Sequence, residues 1–378
     1  MVILVINAGS SSIKYKLYRF PSQDLLYAGT ITKIGEKDSP ITNHHHAVEH
    51  LFQTLLTHKI VSSLDEIVAV GHRVVHGGER FTQPVIITQS VINEIRECVR
   101  LAPLHNPANL EGILACTKLL KRVPQVAVFD TAFHQTIPDY AYMYPIPLKF
   151  YTKDRIRKYG FHGISHQYVA EKAAHALKRP LQSLKLITCH LGNGCSITAI
   201  RNGKSIDTSM GFTPLEGVMM GTRCGDIDPA IIGFLVKEEH LTSQEVDTIL
   251  NKKSGLLGIS GISNDIRGVR AKLKTDRNAR LAWNMFVYRI KIYIGAYYYI
   301  LQGADAIVFT AGIGENNPDM IKEITDHLER FVHKKTKVLT IKTDEEKMIG
   351  VLTYNKVKKI CQRTRTASTY RGTSTCKN

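Results

Sequence analysis

Among the seven cysteines, at positions 98, 116, 189, 195, 224, 361 and 376, there is no CxxC pair, and the number is odd. That pattern argues against a disulfide framework or a cysteine-rich zinc site, so reduced thiols are expected. No run is long and apolar enough to span a bilayer: the most apolar helical stretch, around Ile292 to Leu301, follows Arg289 and Lys291 and is too short. The opening VILVI lacks the basic start, long apolar middle and small-residue cleavage site of a secretory signal, and a cytoplasmic location is expected. No Walker loop with its GK[ST] ending occurs. Nor does an RRM, helix-turn-helix or zinc-finger signature accompany the excess of positive charge. With 43% hydrophobic and 22% charged residues, a largely disordered or collagen-like chain is also excluded.

What is present is 378 residues, more than one hydrophobic core usually serves, so two domains with a cleft are expected. The formal charge is +17, and much of it is local: from Arg330 to Asn378 there are 13 Lys/Arg against 3 Asp/Glu. This reads as a solvated surface and a basic tail, and nucleic acid is not an expected partner. Strand-like runs recur at Val2 to Ile6, Ile67 to Val70, Val126 to Phe129, Leu184 to Thr188, Ala306 to Thr310 and Lys337 to Ile341. Between them, apolar residues return at three- and four-residue steps over Ser90 to Arg100, Asn109 to Leu120, Ser165 to Leu177 and Asn278 to Leu301, which predicts helices. The class is α/β. Asn202-Gly203 predicts a tight hairpin, so antiparallel pairing is mixed in. The Thr/Ser-rich end from Thr364 carries no periodic apolar face and reads as frayed.

Two strand ends echo each other, NAGSSS at Asn7 to Ser12 and HLGNGCS at His190 to Ser196. Small residues directly after a strand let backbone N–H groups approach a phosphate, and Lys14 supplies a nearby positive charge. A Gly/Ser turn alone is more often only a turn, and an isolated arginine is as often a surface ion pair. The three histidines His44 to His46 look like an exposed polar run rather than a metal site. His105, flanked by prolines, either lines a cleft or satisfies a local carbonyl.

The company of these features decides their reading. NAGSSS is followed by GHRVVHGGE (Gly71 to Glu79), LAPLHNP (Leu101 to Pro107), FDTAFH (Phe129 to His134), YGFHGISH (Tyr159 to His166), HLGNG (His190 to Gly194), MGFTPLEG (Met210 to Gly217), MGTRCGDIDP (Met220 to Pro229) and FTAGIGEN (Phe309 to Asn316). In this order, from Val2 to about Glu346, they resemble the acetokinase family of short-chain carboxylate kinases, the acetate kinases.

The resemblance implies a two-domain α/β fold of the acetate and sugar kinase, Hsp70 and actin type, with duplicated mixed-sheet cores and a central cleft. It implies an N-terminal lobe of residues 1–130 rejoined by about 346–378, and a nucleotide-binding lobe of 131–345. It further implies a homodimer and the reversible reaction acetate + ATP ⇌ acetyl phosphate + ADP, with Mg²⁺, or alternatively Mn²⁺, as the metal. Carried over motif by motif, Asp130, His162 and Arg223 match catalytic positions, and Arg73 the substrate-binding arginine. Val75, Leu104, Phe161 and Pro214 match the apolar positions around the methyl group. Lys14, the turn His190, Leu191, Gly192, Asn193 and Gly194, the segment Asp265, Ile266 and Arg267, and the loop Gly312, Ile313, Gly314, Glu315 and Asn316 match nucleotide contacts. Asn7 and Glu345 match the metal positions.

Elementary chemistry supports these roles. Phosphoryl transfer needs positioning and charge stabilisation more than covalent chemistry, which suits two arginines from separate segments. A carboxylic acid, with a pKa of roughly 4 to 5, is already an anion near pH 7, so Asp130 is not needed as a general base and reads as an orienting or metal-supporting group. An apolar pocket separates substrates differing by one methylene by only about 1 to 3 kcal/mol, so propionate is an expected secondary substrate. Between Asn316 and Glu345 the chain is shorter than the family pattern, and Glu345 and Glu346 also read as a solvated helix start, where acids favour the dipole. The rival readings are a propionate or other short-chain carboxylate kinase and a catalytically weak ATP-binding protein of the same fold.

Overall fold

The apolar run VILVI becomes β1 (Val2–Ala8), with Ile3, Leu4, Val5 and Ile6 all buried. A strand buried on both faces reads as a continuous apolar run rather than an alternation. The computed structural model describes residues 1–103, 105–326 and 336–371. The chain divides into two compact units, Met1–Ala132 with the segment from Asp344, and Phe133–Thr343. Glu345 thereby falls in the first unit, whereas the sequence reading assigned it to the second.

The first unit is built on a six-stranded sheet. Its strands are β1, β2 (Ser12–Arg19), β3 (Asp24–Thr32), β4 (Ile67–Val74), β5 (Val85–Ile86) and β6 (Gln125–Phe129), in the order β3-β2-β1-β4-β6-β5. The β1, β2 and β3 neighbours are antiparallel, while β4 lies parallel to both β1 and β6. Strands β2 and β3 were not among the runs picked out above. Yet in β2 the pattern SIKYKLYR buries Ile13, Tyr15 and Leu17 and leaves Lys14 exposed, a clear period of two. The helices His44–Thr57 and Asn106–Leu119 pack together, and the C-terminal helix Glu345–Arg371 packs on β1 and β4. That last helix runs on through the Thr/Ser-rich stretch expected to fray, as far as Arg371; residues 372–378 lie outside the described residues.

The second unit carries a five-stranded sheet of β7 (Lys185–Leu191), β8 (Cys195–Arg201), β9 (Lys204–Thr208), β10 (Ala306–Thr310) and β11 (Lys337–Thr340), ordered β11-β10-β7-β8-β9. The hairpin at Asn202-Gly203 joins β8 to β9, with both residues at positive φ. Here β7, β8 and β9 are antiparallel neighbours and β10 lies parallel to β7 and β11. This repeats the core of the first sheet strand for strand, so the NAGSSS and HLGNGCS turns occupy equivalent places, each linking the central strand to its antiparallel neighbour. The four expected helices are present, as Gln89–Glu97, Asn106–Leu119, Gly163–Ala176 and Arg277–Leu301.

Gly71 shows why the first unit needs its GH dipeptide. A Cβ there would lie 2.3 Å from Thr353 Oγ1 and 2.9 Å from Ile349 Cγ2, because the C-terminal helix crosses β4 at this point.

Candidate active site

In the first unit, parallel strands end side by side and deliver their polar residues to one place. Arg73, near the end of β4, donates from Nε to Asp130 Oδ2 at 3.1 Å and from Nη2 to the same oxygen at 2.6 Å. Asp130 follows β6 and is 1% exposed. Arg73 Nη1 donates to Asn7 Oδ1 at 3.3 Å, and Asn7 Nδ2 donates to Glu346 Oε1 at 3.4 Å. Glu345 Oε2 stands 3.9 Å from Arg73 Nε. Burial opposes the Arg73 charge, but the charges of Asp130 and Glu345 outweigh it and raise the guanidinium pKa. For Glu345, burial pushes the carboxyl up and Arg73 pulls it back. Glu345 and Glu346 are thus not a solvated helix start. They are half-buried against Arg73 and Lys16, with Lys16 Nζ 3.3 Å from Glu346 Oε2 and 2.8 Å from Asp344 Oδ1.

The sequence reading missed the side chains that fix this group. Asn109 Nδ2 donates to Ala8 O at 2.6 Å while its Oδ1 accepts from Val75 N–H at 3.0 Å, tying the end of β1 to the end of β4. Asn106 Oδ1 accepts from His76 N–H at 3.1 Å and its Nδ2 donates to His76 O at 3.0 Å. Two asparagines three residues apart on the buried face of a helix are the signal that would have revealed them. His44 corrects the reading of an exposed run: it is buried, with Nε2 2.7 Å from Gly9 O and Nδ1 2.8 Å from Glu111 Oε2. Its position at the start of an amphipathic helix turns it inward, while His46 remains exposed. Lys14 lies exposed on β2, in register opposite Asn7. Val75 is buried just beyond β4, and Leu104 lies outside the described residues.

In the second unit, His162 occupies a left-handed backbone position, φ 55°, at the entry to the helix Gly163–Ala176. A non-glycine residue held there stores backbone strain, a common feature of functional sites. The His162 Nδ1 atom is 2.9 Å from Ser196 Oγ, and its ring stacks on His190 with centroids 4.1 Å apart. Arg223 is close by: a Cβ on Gly194 would meet His162 Nε2 at 3.3 Å and Arg223 Nη1 at 3.4 Å. Arg223 Nη1 donates to Pro214 O at 3.3 Å, so Pro214 is drawn into the same group. Among the described residues no carboxylate pairs with Arg223, and burial lowers its pKa.

Beside this group a cavity of about 1180 Å³ is lined by Gly192, Asn193, Asn264, Asp265, Ile266, Arg267, Gly312, Ile313 and Asn316. It exceeds the roughly 300 to 1000 Å³ of ordinary ligand pockets, and a nucleotide fits such a space. Asp265 caps the helix Ile266–Ala271 and its carboxylate receives Arg267, so the two line the cavity as a pair. Glu315 turns inward: its Oε1 accepts from Ala311 N–H at 2.9 Å and Thr343 N–H at 3.1 Å. Leu191 is buried in the strand end, Gly314 is packed below the loop, and Phe161 is buried with its carbonyl 2.9 Å from His134 Nε2.

The chain matches the model of the acetokinase family over residues 2–366. It is 53% identical over 366 residues to an acetate kinase of Thermoanaerobacterium thermosaccharolyticum, covering 92% of this chain and 90% of that one. Among solved structures, an acetate kinase from Porphyromonas gingivalis superimposes with a TM-score of 0.89 at 41% identity, over 94% of this chain and 99% of the other. A propionate kinase from Francisella tularensis gives 0.88 at 41% identity, with the same coverage. A half-buried arginine pair-bonded to a buried aspartate, a second arginine with no acid beside it among the described residues and next to a strained histidine, and a nucleotide-sized cavity between glycine turns sit on a chain matched almost end to end: it belongs to the acetokinase family, whose members are phosphotransferases acting on a carboxyl group.

Proposed function

We propose that the chain phosphorylates acetate reversibly with ATP, giving acetyl phosphate and ADP by direct in-line transfer. A carboxylate oxygen of acetate attacks the γ-phosphorus, a new O–P bond forms, the bond to the β,γ-bridging oxygen breaks, and ADP leaves with that electron pair. No proton has to be removed from the acceptor, because a carboxylic acid is ionised near pH 7. The observation that carries this reading is Arg223, a half-buried cation with no acidic partner among the described residues, next to His162. Such a charge is stabilised when an anion arrives, and most strongly when charge spreads over the equatorial phosphoryl oxygens.

Arg73 receives the acetate carboxylate, while Asp130 holds its guanidinium fork in place through two hydrogen bonds to one oxygen. His162 donates to a phosphoryl oxygen. The cavity beside Gly192 and Gly312 takes the adenine nucleotide, and Val75, Phe161 and Pro214 match the apolar positions that, by the resemblance, keep the acid short. Asn7 and Glu345 supply hard oxygen donors next to Arg73, and this donor set suits Mg²⁺, or Mn²⁺ in its place, which is carried by one or two carboxylates together with nucleotide phosphates and water. When bound, the ion would neutralise part of the phosphate charge.

The helix Ala230–Glu238 buries none of its residues, and Ile231, Ile232, Phe234 and Val236 are all exposed. That apolar surface supports assembly as a homodimer. No helix among the described residues is long and apolar enough to cross a membrane, and a substrate pair of ATP and acetate suits the cytoplasm. Propionate is the second substrate of this reading, supported by the equal likeness to acetate and propionate kinase structures.

The test is acyl-phosphate capture as the hydroxamate, with ATP, Mg²⁺ and acetate, propionate or butyrate. Acetate is expected to give the highest kcat/KM, with propionate within about 1 to 3 kcal/mol of it, or 10- to 200-fold. ATP binding without acyl phosphate from any of the three acids would identify a catalytically weak ATP-binding protein instead.

A further inference from the structure

We propose that Ser196 is a positioning residue which, backed by His166 and Thr188, locks His162 in the neutral tautomer that carries its proton on Nε2. The inference deepens the reading of His162 as the donor to the phosphoryl group and rests on it for its catalytic consequence.

The relay is read from hydroxyl bookkeeping. Thr188 on β7, Ser196 on β8 and His166 in the helix Gly163–Ala176 are all 0% exposed. His166 Nδ1 lies 2.7 Å from Thr188 Oγ1, and His166 Nε2 lies 2.7 Å from Ser196 Oγ. Ser196 Oγ also lies 2.9 Å from His162 Nδ1. Thr188 Oγ1 meets no other side-chain or backbone partner among the described residues, so its buried proton goes to His166 Nδ1. Burial holds His166 neutral, well below its ordinary pKa, with the nearby His134 and His190 rings acting in the same direction. A neutral ring that accepts at Nδ1 carries its proton on Nε2, and that proton has Ser196 Oγ as its acceptor. The single Ser196 hydroxyl proton is then left for His162 Nδ1. A neutral His162 that accepts there must hold its own proton on Nε2.

The direction matters because Nε2 is the nitrogen on the side of Gly194 and the Arg223 guanidinium. In the opposite polarity a neutral His162 would present a lone pair toward phosphoryl oxygens and repel them. Protonating the ring fully would place a second cation beside Arg223, against the stacked ring of His190. His190 is itself fixed through Nδ1, 2.8 Å from Ser165 Oγ, which lies 2.8 Å from Thr343 Oγ1. His134, edge-on to His166, is anchored by Ser205 and the Phe161 carbonyl, and burial lowers its pKa to about 4. Burial thus keeps the His134 and His166 rings neutral near pH 7, and the permanent cation next to the relay is Arg223.

The experiment is nitrogen-15 NMR of the histidine rings in the full chain at pH 7.5, with the His162 signals assigned by loss in His162→Gln. The expected pattern is a neutral ring protonated at Nε2. Ser196→Ala is expected to lose that preference and to lower kcat about 10- to 100-fold while the KM values for ATP and acetate change less than about threefold, since a wrong tautomer or a missing oxyanion donor acts on the transition state. Ser196→Thr, which keeps the hydroxyl, is expected to restore both the tautomer and most of kcat. Wild-type His162 found protonated at Nδ1, or as imidazolium, overturns the proposal whether or not Ser196→Ala folds. So does Ser196→Ala with unchanged tautomer and kcat. If His162→Gln itself keeps full kcat, the donor role of His162 falls, and the ring spectrum still decides the relay.

Discussion

Arg73 and Arg223 carry the same group and stand in opposite electrostatic situations. Arg73 meets Asp130 and Glu345 before any substrate arrives, whereas among the described residues Arg223 has only the Pro214 carbonyl and the Met220 sulfur as hydrogen-bond acceptors. In the proposed reaction the first is a held binding fork and the second a charge that awaits the phosphoryl group. Replacing Arg223 by lysine keeps the charge and removes the planar fork, and kcat is expected to fall by about three orders of magnitude with the ATP dissociation constant within a few-fold of wild type. Initial rates and titration calorimetry check the two halves of that statement. Asp130→Asn isolates the other arginine. Because acetate needs no base, the shape of the kcat profile between pH 6 and 8.5 is expected to stay as in wild type, while the KM for acetate rises as Arg73 loses its anchor. The appearance of a new acidic or basic limb in the mutant would mean that Asp130 moves a proton.

The elements explain why part of the site could be read from the sequence and part could not. β1 is an apolar run ending in a polar turn, so Asn7 was legible as a strand-end residue, while Arg73 and Asp130 came from the motifs GHRVVHGGE and FDTAFH that carry the family resemblance. The same holds for His162 before its helix and for the glycine turn after β7. What could not be read was the set of side chains that brace these ends. Asn109 spans Ala8 and Val75, which are far apart in sequence, and the Thr188–His166–Ser196 chain exists only because β7, β8 and a helix come together. Strands β2 and β3 were passed over because neither carries the continuous apolar run by which the other strands were picked out; in β2 the apolar residues alternate with lysines instead. Gly71 is an element-scale constraint as well. Gly71→Ala drives a methyl into Thr353 and Ile349 and is expected to lower stability by about 1 to 3 kcal/mol, read as a lower urea midpoint with an unchanged slope. An unchanged midpoint would show that the C-terminal helix shifts freely on β4.

For the molecule as a whole, acid sensitivity follows from histidines buried in both units. Burial lowers His72 to about 4 and His76 to about 3 in the first unit, and His134 to about 4 in the second, against an ordinary value of 6.5. On acidification the unfolded chain takes up protons at these rings near pH 6.5, while the folded chain does not until near pH 4. Stability is therefore full above about pH 6.5 and is lost as the pH falls through that window, at up to about 1.4 kcal/mol per pH unit for each ring. Urea midpoints measured from pH 7.5 to 5 are expected to fall steadily below pH 6.5; a flat course to pH 5 would contradict the burial of these rings. At the same scale, Phe234→Glu places a charge on the exposed apolar helix and, if the proposed homodimer forms through that face, is expected to shift sedimentation from dimer toward monomer. The most direct measurement of the central claim is a rapid-quench single turnover with labelled ATP and acetate, comparing wild type with Arg223→Lys at saturating nucleotide. Acetyl phosphate formed in one fast step by the wild type, and about a thousandfold more slowly by the variant, is the expected result. Equal chemical rates in the two proteins would contradict it, because an unpaired guanidinium would then have no part in carrying the phosphoryl charge.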